Sequence, residues 1–339
     1  MKTSGNDYMG RHIEQSRALD VPMEEWGEAE ILERLPIHSL ESFYPPKSRQ
    51  DDNFGQSNAG QLHGAVYWPN GGYVTDPALS AQNLMDAAKL HSADVRLGTE
   101  VIEILQSDSH VTGVKLACSE VLHAPVVVNV AGPGSAIINQ MAGVTDEMTI
   151  HTRPLRQEVV PVPAPEGFDF ESRAPVASDN DIGCYVRPEH GNHILIGSED
   201  PACDPHHWTA DDKDYDRNFT DQWTTQAMRY AQRVPALGIP SATKGVVDLY
   251  DVSTDWIPID DKTSVGGYYM ACGSSGNQYK NAPIAGKMMA ALIEYCEVGN
   301  DHDTRPLQFV LPYIQRDLDV NFFSRKREVN QESSFSVLG

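Results

Sequence analysis

The chain is poor in positive charge. Its 26 Lys and Arg stand against 48 Asp and Glu over 339 residues, a formal net charge of −22. That balance argues against nucleic acid or an anionic membrane surface as a partner, since both are bound through clustered cations. Long apolar runs are also missing. No stretch approaches the roughly 20 apolar residues of a membrane-spanning helix. The opening Met-Lys-Thr-Ser-Gly-Asn-Asp lacks the apolar centre of a secretion signal. Cysteine is scarce: Cys118, Cys184, Cys203, Cys272 and Cys296 are scattered with no C-x-x-C pair. An odd, widely spaced set of thiols argues against a disulfide framework and favours a reducing compartment. The twelve histidines include no H-E-x-x-H, and adjacent His206-His207 would point apart on a strand, so no metal is expected. These absences lead to the expectation of a cytoplasmic globular protein, long enough for two domains.

Helices are predicted around Met9–Leu19 and Met23–Leu35, followed by an exposed loop over 48–60. Strands are read at Gly64–Trp68 and Gly71–Val74. Asp76 is a good N-cap with Pro77 at the first helical position, which starts a helix ending near His91, its apolar face made of Ala78, Ala81, Leu84, Met85 and Ala88. A strand at Val95–Leu97 and a hairpin of Glu100–Leu105 with Val111–Leu116 follow. Val126–Val130 is nearly all β-branched, as expected of a parallel strand buried on both faces. It ends in Ala131-Gly132-Pro133-Gly134, where another helix starts. Between 151 and 242 the signals turn antiparallel: Leu155–Val162, then a hairpin of Cys184–Arg187 and His193–Gly197, then a helix over Asp211–Val234. Strand character returns from Thr243.

The most informative stretch is Tyr268–Ile293. A short apolar strand enters Gly273-Ser274-Ser275-Gly276, and Lys280 follows Asn277, Gln278 and Tyr279 as an Ala- and Met-rich helix begins. Bare N–H groups at a helix start, with a cation beside them, suit an electron-rich cofactor edge. A plain strand-helix corner would have the same local pattern.

Gly71-Gly72-Tyr73-Val74 with Asp76-Pro77 resembles an element of the D-amino-acid oxidase superfamily, which includes glycine and sarcosine oxidases. The resemblance continues in order through Arg96–Val101, Val128–Gly132, Tyr185–Pro188, Leu249–Asp251, Asp255–Pro258 and Ala271–Lys280, covering about 60 to 325. It implies an α/β (α+β) fold, with a Rossmann-like FAD-binding domain and an inserted antiparallel-sheet substrate domain. On this reading residues 74–150 plus 243–300 bind FAD, 8–73 plus 151–242 form the substrate domain, and 301–339 make a C-terminal tail on the outside or at an oligomer contact.

Site residues follow from the same resemblance. Val101, Ala131, Gly132, Gly273, Ser275, Gly276, Asn277, Gln278 and Lys280 would contact FAD. Tyr185 and Arg187, on one face of their strand, would bind substrate, since an Arg fork matches a carboxylate. Tyr250 and Lys280 are the catalytic candidates, with Asp251 and Asp255 nearby. The implied reaction is oxidation of a C–N bond in a small amine or amino acid. Asp248 stands where some members carry a flavin-linking Cys, so FAD is expected to be non-covalent. Two departures stand out. The family's opening βαβ unit with G-x-G-x-x-G, which holds the FAD pyrophosphate, has no counterpart here, and the final turn has Ser274, Asn277, Gln278 and Tyr279 where Phe, His, Gly and Phe are common. A truncated chain is the expectation. Completion by another chain, a non-enzymatic remnant unable to hold FAD, and a 2-hydroxy-acid oxidising relative are the alternatives.

Overall fold

A computed structural model describes residues 1–3, 8–210 and 212–338. The chain opens with β1 (Lys2–Thr3), α1 (Tyr8–Ala18), β2 (Glu24–Trp26), α2 (Glu28–Arg34), β3 (Leu62–Tyr67) and α3 (Pro77–Leu90). Next come β4 (Val101–Ser107), β5 (His110–Leu116), β6 (Val121–His123), β7 (Val127–Asn129), α4 (Ser135–Met141) and β8 (Thr152–Pro163). They are followed by α5 (Phe170–Arg173), β9 (Ala177–Asp179), β10 (Cys184–Glu189), β11 (His193–Ser198), β12 (His207–Trp208) and α6 (Asp221–Arg233). The chain ends with β13 (Val246–Ser253), β14 (Ile259–Lys262), β15 (Tyr268–Cys272), α7 (Ala282–Glu297), β16 (Gln308–Leu311) and β17 (Arg316–Asp319). This is the mixed α/β architecture that the sequence implies. Two compact units emerge, and β8 and β13 each pass from one to the other.

The first unit comprises residues 1–93, 157–206 and 216–248. Its main sheet is antiparallel: β9 pairs β10, β10 pairs β11 from Cys184↔Ser198 to Glu189↔His193, and β11 pairs β8 at Ile194↔Val162. Alternation turns Cys184 and Val186 of β10 inward and leaves Tyr185, Arg187 and Glu189 half-buried on the other face. Trp223, Ala227, Tyr230 and Val234, at helical spacing, form the stripe of α6 that meets Val160, Val162, Ile194 and Ile196 in the core. Arg233, fully buried, donates from Nε to Asp179 (2.7 Å) and from Nη2 to Asp181 (2.8 Å).

The second unit comprises 94–156, 207–215 and 249–339. β4, β5 and β6 form an antiparallel meander, its tight turn at Asp108 and Ser109, both with positive φ. β7 and β15 run parallel in the register Tyr268↔Val127 to Met270↔Asn129, and β14 pairs the other side of β15. Each face of β15 enters a different core. Tyr268, Met270 and Cys272 join Ile104, Val111 and Ile259, while Tyr269 joins Met288, Met289 and Leu292 of α7. β7 is therefore the edge of its sheet among the described residues.

Several expectations need correction. Met23–Leu35 is not one helix, because Glu24–Trp26 pairs with β3 and Glu30 reaches back to the Gly27 N–H (2.9 Å), so the helix starts only there. Asp211 lies outside the described residues, and α6 starts late, where the Thr220 hydroxyl accepts from Gln222 N. Gly71–Val74 and Val95–Leu97 are not strands, since neither segment has a pairing partner that would make it one. α3 forms as expected, its Asp76 cap accepting from Leu79 N (2.8 Å), yet it buries no residue. Val130 is 68 % exposed, so the β-branched run is not buried throughout. The C-terminal stretch is not merely an outer tail. Arg325 is fully buried and donates to Asp261, Asp303 and Glu147, and Arg327 holds Asp255 with two hydrogen bonds (2.7 and 2.9 Å).

Candidate functional site

Strands β7 and β15 end side by side, and both lead into glycine turns. A crevice beyond the carboxyl ends of adjacent parallel strands is where open α/β sheets bind ligands. The first turn, after β7, has Gly132 at φ +56, with nothing within 4 Å of where a Cβ would stand. Beside it, the Asp212 carboxylate would lie 3.0 Å from a Cβ on Gly134, and its Oδ1 is buried without a hydrogen-bond partner among the described residues. A carboxylate there suits a hydroxyl donor and repels a phosphate.

The second turn, after β15, is pinned from beneath by β13. Gly273 N donates to Asp251 Oδ2 (2.5 Å), Ser275 N to the Asp251 carbonyl (2.7 Å), and Ser253 N to Ser275 Oγ (3.3 Å). Gly273 and Gly276 both have positive φ, +73 and +76. A Cβ on Gly276 would meet the Tyr250 ring at 2.6 Å, so only glycine lets the turn close on that tyrosine. Lys280 donates from Nζ to the Asn277 carbonyl (2.7 Å), and partial burial lowers its pKa from the ordinary lysine value. Gln278 bonds Asn277 Oδ1 and Asn281 bonds Gln278 Oε1, which leaves the buried Asn277 Nδ2 without an acceptor among the described residues. The helix that follows, α7, has no side-chain cap and no acidic residue in its first turn. An unpaired amide donor and a partly desolvated cation thus share one turn.

Asp251 escaped the sequence reading as an anchor. Burial pushes its carboxyl up to about 7, opposed by the hydrogen bonds it accepts. Trp256 is a second surprise, buried with φ +63, a costly conformation for a bulky residue. It is fixed by its own N–H donating to the Ser253 carbonyl (3.1 Å) and by Ser253 Oγ donating to Ile257 O (2.6 Å). Its ring packs with Tyr250, Leu155 and Val252 under the turn.

The structure thus gathers Gly273, Ser275, Gly276, Asn277, Gln278 and Lys280 in one turn packed on Tyr250 of β13, and the parallel register sets Ala131 and Gly132 at the same sheet end. Val101 begins β4, opposite Leu116, and is half-buried against the core that holds Ile104 and Val111. Tyr185 and Arg187 belong to the first unit. The Tyr185 ring covers Gly197, where a Cβ would stand 2.1 Å from it, and Arg187 lies over the Tyr73 ring at 5.5 Å. Among the described residues no cluster of three or more His, Cys, Asp or Glu could hold a metal, and no helix is long and apolar enough to cross a membrane.

Residues 4–292 match the family described as DAO, FAD dependent oxidoreductase. The chain belongs to this family. Among curated proteins it is similar to the hydrogen cyanide synthase subunit HcnC of Pseudomonas aeruginosa, 25 % identical over 71 % of this chain and 52 % of that protein. It is also similar to glycine oxidase of Geobacillus kaustophilus, 27 % identical over 71 % of this chain and 58 % of the relative. The chain therefore spans little more than half the length of these relatives. Among solved structures, L-proline dehydrogenase from P. horikoshii shares the fold with a TM-score of 0.68 at 21 % identity, covering 94 % of this chain and 71 % of that one.

FAD is the cofactor of the family, and the second turn fits a flavin ring. The orphaned Asn277 Nδ2 would offer a donor to the ring's electron-rich edge, and Lys280 would offer positive charge. The first turn fits the hydroxyls of a ribityl chain rather than a pyrophosphate, because of Asp212. No G-x-G-x-x-G occurs in the sequence.

Proposed function

We propose that this chain supplies the flavin-ring side and the substrate-binding residues of an oxidoreductase acting on the C–N bond of a small amine or amino acid. The observation that carries this reading is the turn Gly273–Lys280, with an unpaired amide donor and a cation held beside Tyr250. Bound FAD would supply the two-electron acceptor. Lys280 and the Asn277 amide would stabilise charge at the ring edge, and Gly132 would let the backbone approach closely. Tyr250, pressed on Gly276, would fix the ring's position, while Tyr185 and Arg187 orient substrate. No side-chain base is required when the amine arrives uncharged. The pyrophosphate would be held by a βαβ unit outside this sequence, on a partner or a further segment. The edge position of β7, the exposed Val130, and the additional length of the relatives support that part.

The test is a titration of the chain with riboflavin and, separately, with FAD, followed by flavin fluorescence. A ring-side site predicts that riboflavin binds within about tenfold of FAD, since the phosphates and adenosine add few contacts. Gly276→Ala should abolish both while leaving a cooperative thermal transition. Failure of both flavins to bind would sink the reading and favour the remnant.

A further inference from the structure

The half-exposed face of β10 carries a feature that neither the family match nor the flavin turn explains. Arg187 does not present an open guanidinium. Its Nη2 pairs with Glu189 Oε2 at 2.8 Å, and its Nη1 donates to the Pro188 carbonyl at 3.0 Å. The other Glu189 oxygen, Oε1, accepts from the His190 N–H at 3.0 Å. Tyr73 packs against the guanidinium at 5.5 Å. Strand alternation permits the pair, because residues two apart project from the same face.

We propose that Glu189 sets the substrate class at this face, occupying the fork of Arg187 so that the site selects amines without a free carboxylate beside the reacting C–N bond. This rests on the reading that Tyr185 and Arg187 face substrate. An Arg fork offers its bidentate geometry to one carboxylate at a time, and here Glu189 holds Nη2 while the Pro188 carbonyl holds Nη1. An incoming carboxylate must displace Glu189, leaving that group unpaired where its side chain is only 29 % exposed and that of Arg187 only 20 %. A neutral amine or ester meets no such competitor. Specificity then comes from a repulsive element built into the strand.

The experiment needs no flavin. Binding of sarcosine and of its methyl ester, which differ in the carboxylate, is followed by ligand-observed NMR on the chain and two variants. The chain itself should bind the ester more tightly than the acid. Glu189→Gln should raise affinity for the acid by roughly tenfold with little effect on the ester. Glu189→Gln combined with Arg187→Gln should lose that gain, and melting curves confirm that each variant is folded. If Glu189→Gln gives no gain while the chain binds the acid at least as well as the ester, through Arg187, then Glu189 is not a selector, although the face still binds substrate. If no variant binds either ligand, both Glu189 as selector and the face as a substrate site are overturned.

Discussion

The two units solve the same packing problem differently. In the first, the second half of β8 with β11, β10 and β9 makes an antiparallel sheet whose inner face is sealed by α6 around one core. In the second, three short sheets share two smaller cores, and the parallel pair β7–β15 has β7 as its edge among the described residues. A parallel strand with both faces covered normally lies inside a sheet, because βα units flank it on both sides. Here Val126 and Val128 contribute to one core and Val127 to the other, yet β7 is an edge and Val130 is 68 % exposed. Antiparallel hairpins bring their own partners from nearby sequence, whereas parallel pairing must recruit strands from far away. The β9–β10–β11 hairpins therefore draw their partners from nearby sequence, whereas the β7–β15 pair depends on long-range pairing.

The comparison can be broken most forcefully in the first unit. Arg233→Met leaves Asp179 and Asp181 buried without their shared cation and should cost about 3–5 kcal/mol in urea unfolding. A loss under about 1 kcal/mol would mean that this core does not depend on its ion cluster. A smaller effect is expected beneath the turn after β15. Burial holds the Asp251 pKa near 7 against 3.8 in the unfolded chain, so the folded state favours the protonated acid. That contribution is full below about pH 4 and is lost as pH rises through 7. Asp251→Asn cannot ionise and should gain about 1–3 kcal/mol relative to the parent between pH 5 and pH 8. A pH-independent difference would show that Asp251 is ionised throughout. The smallest effect belongs to α3. Leu84 is 58 % exposed, so Leu84→Gln should change stability by less than about 0.5 kcal/mol. A loss above 1 kcal/mol in melting experiments would indicate that something covers this helix in solution.

Much of this organisation is legible in the residues. The Asp76-Pro77 helix start, the β4–β5 hairpin, the β10–β11 hairpin around Gly191-Asn192 and the entry into α4 follow from local chemistry. Glycines at 132, 273 and 276 mark the turns because only glycine adopts their backbone without penalty. What failed were segments whose structure depends on a partner. Val95–Leu97 has strand composition but no neighbour to pair with, and Met23–Leu35 lost its first turn to pairing with β3. Arg325 and Arg327 gave no signal, since polar residues near a terminus look solvated until distant carboxylates are found around them.

The sequence by itself determined the family, the Asp76-Pro77 helix, the two hairpins and the two glycine turns, because those rest on backbone geometry and short-range spacing. Only the tertiary structure decided that Asp251 anchors the second turn, that Arg325 is buried against Asp261, and that β7 ends its sheet among the described residues. Burial and pairing between residues remote in sequence set those features, and neither is encoded in any local run of residues.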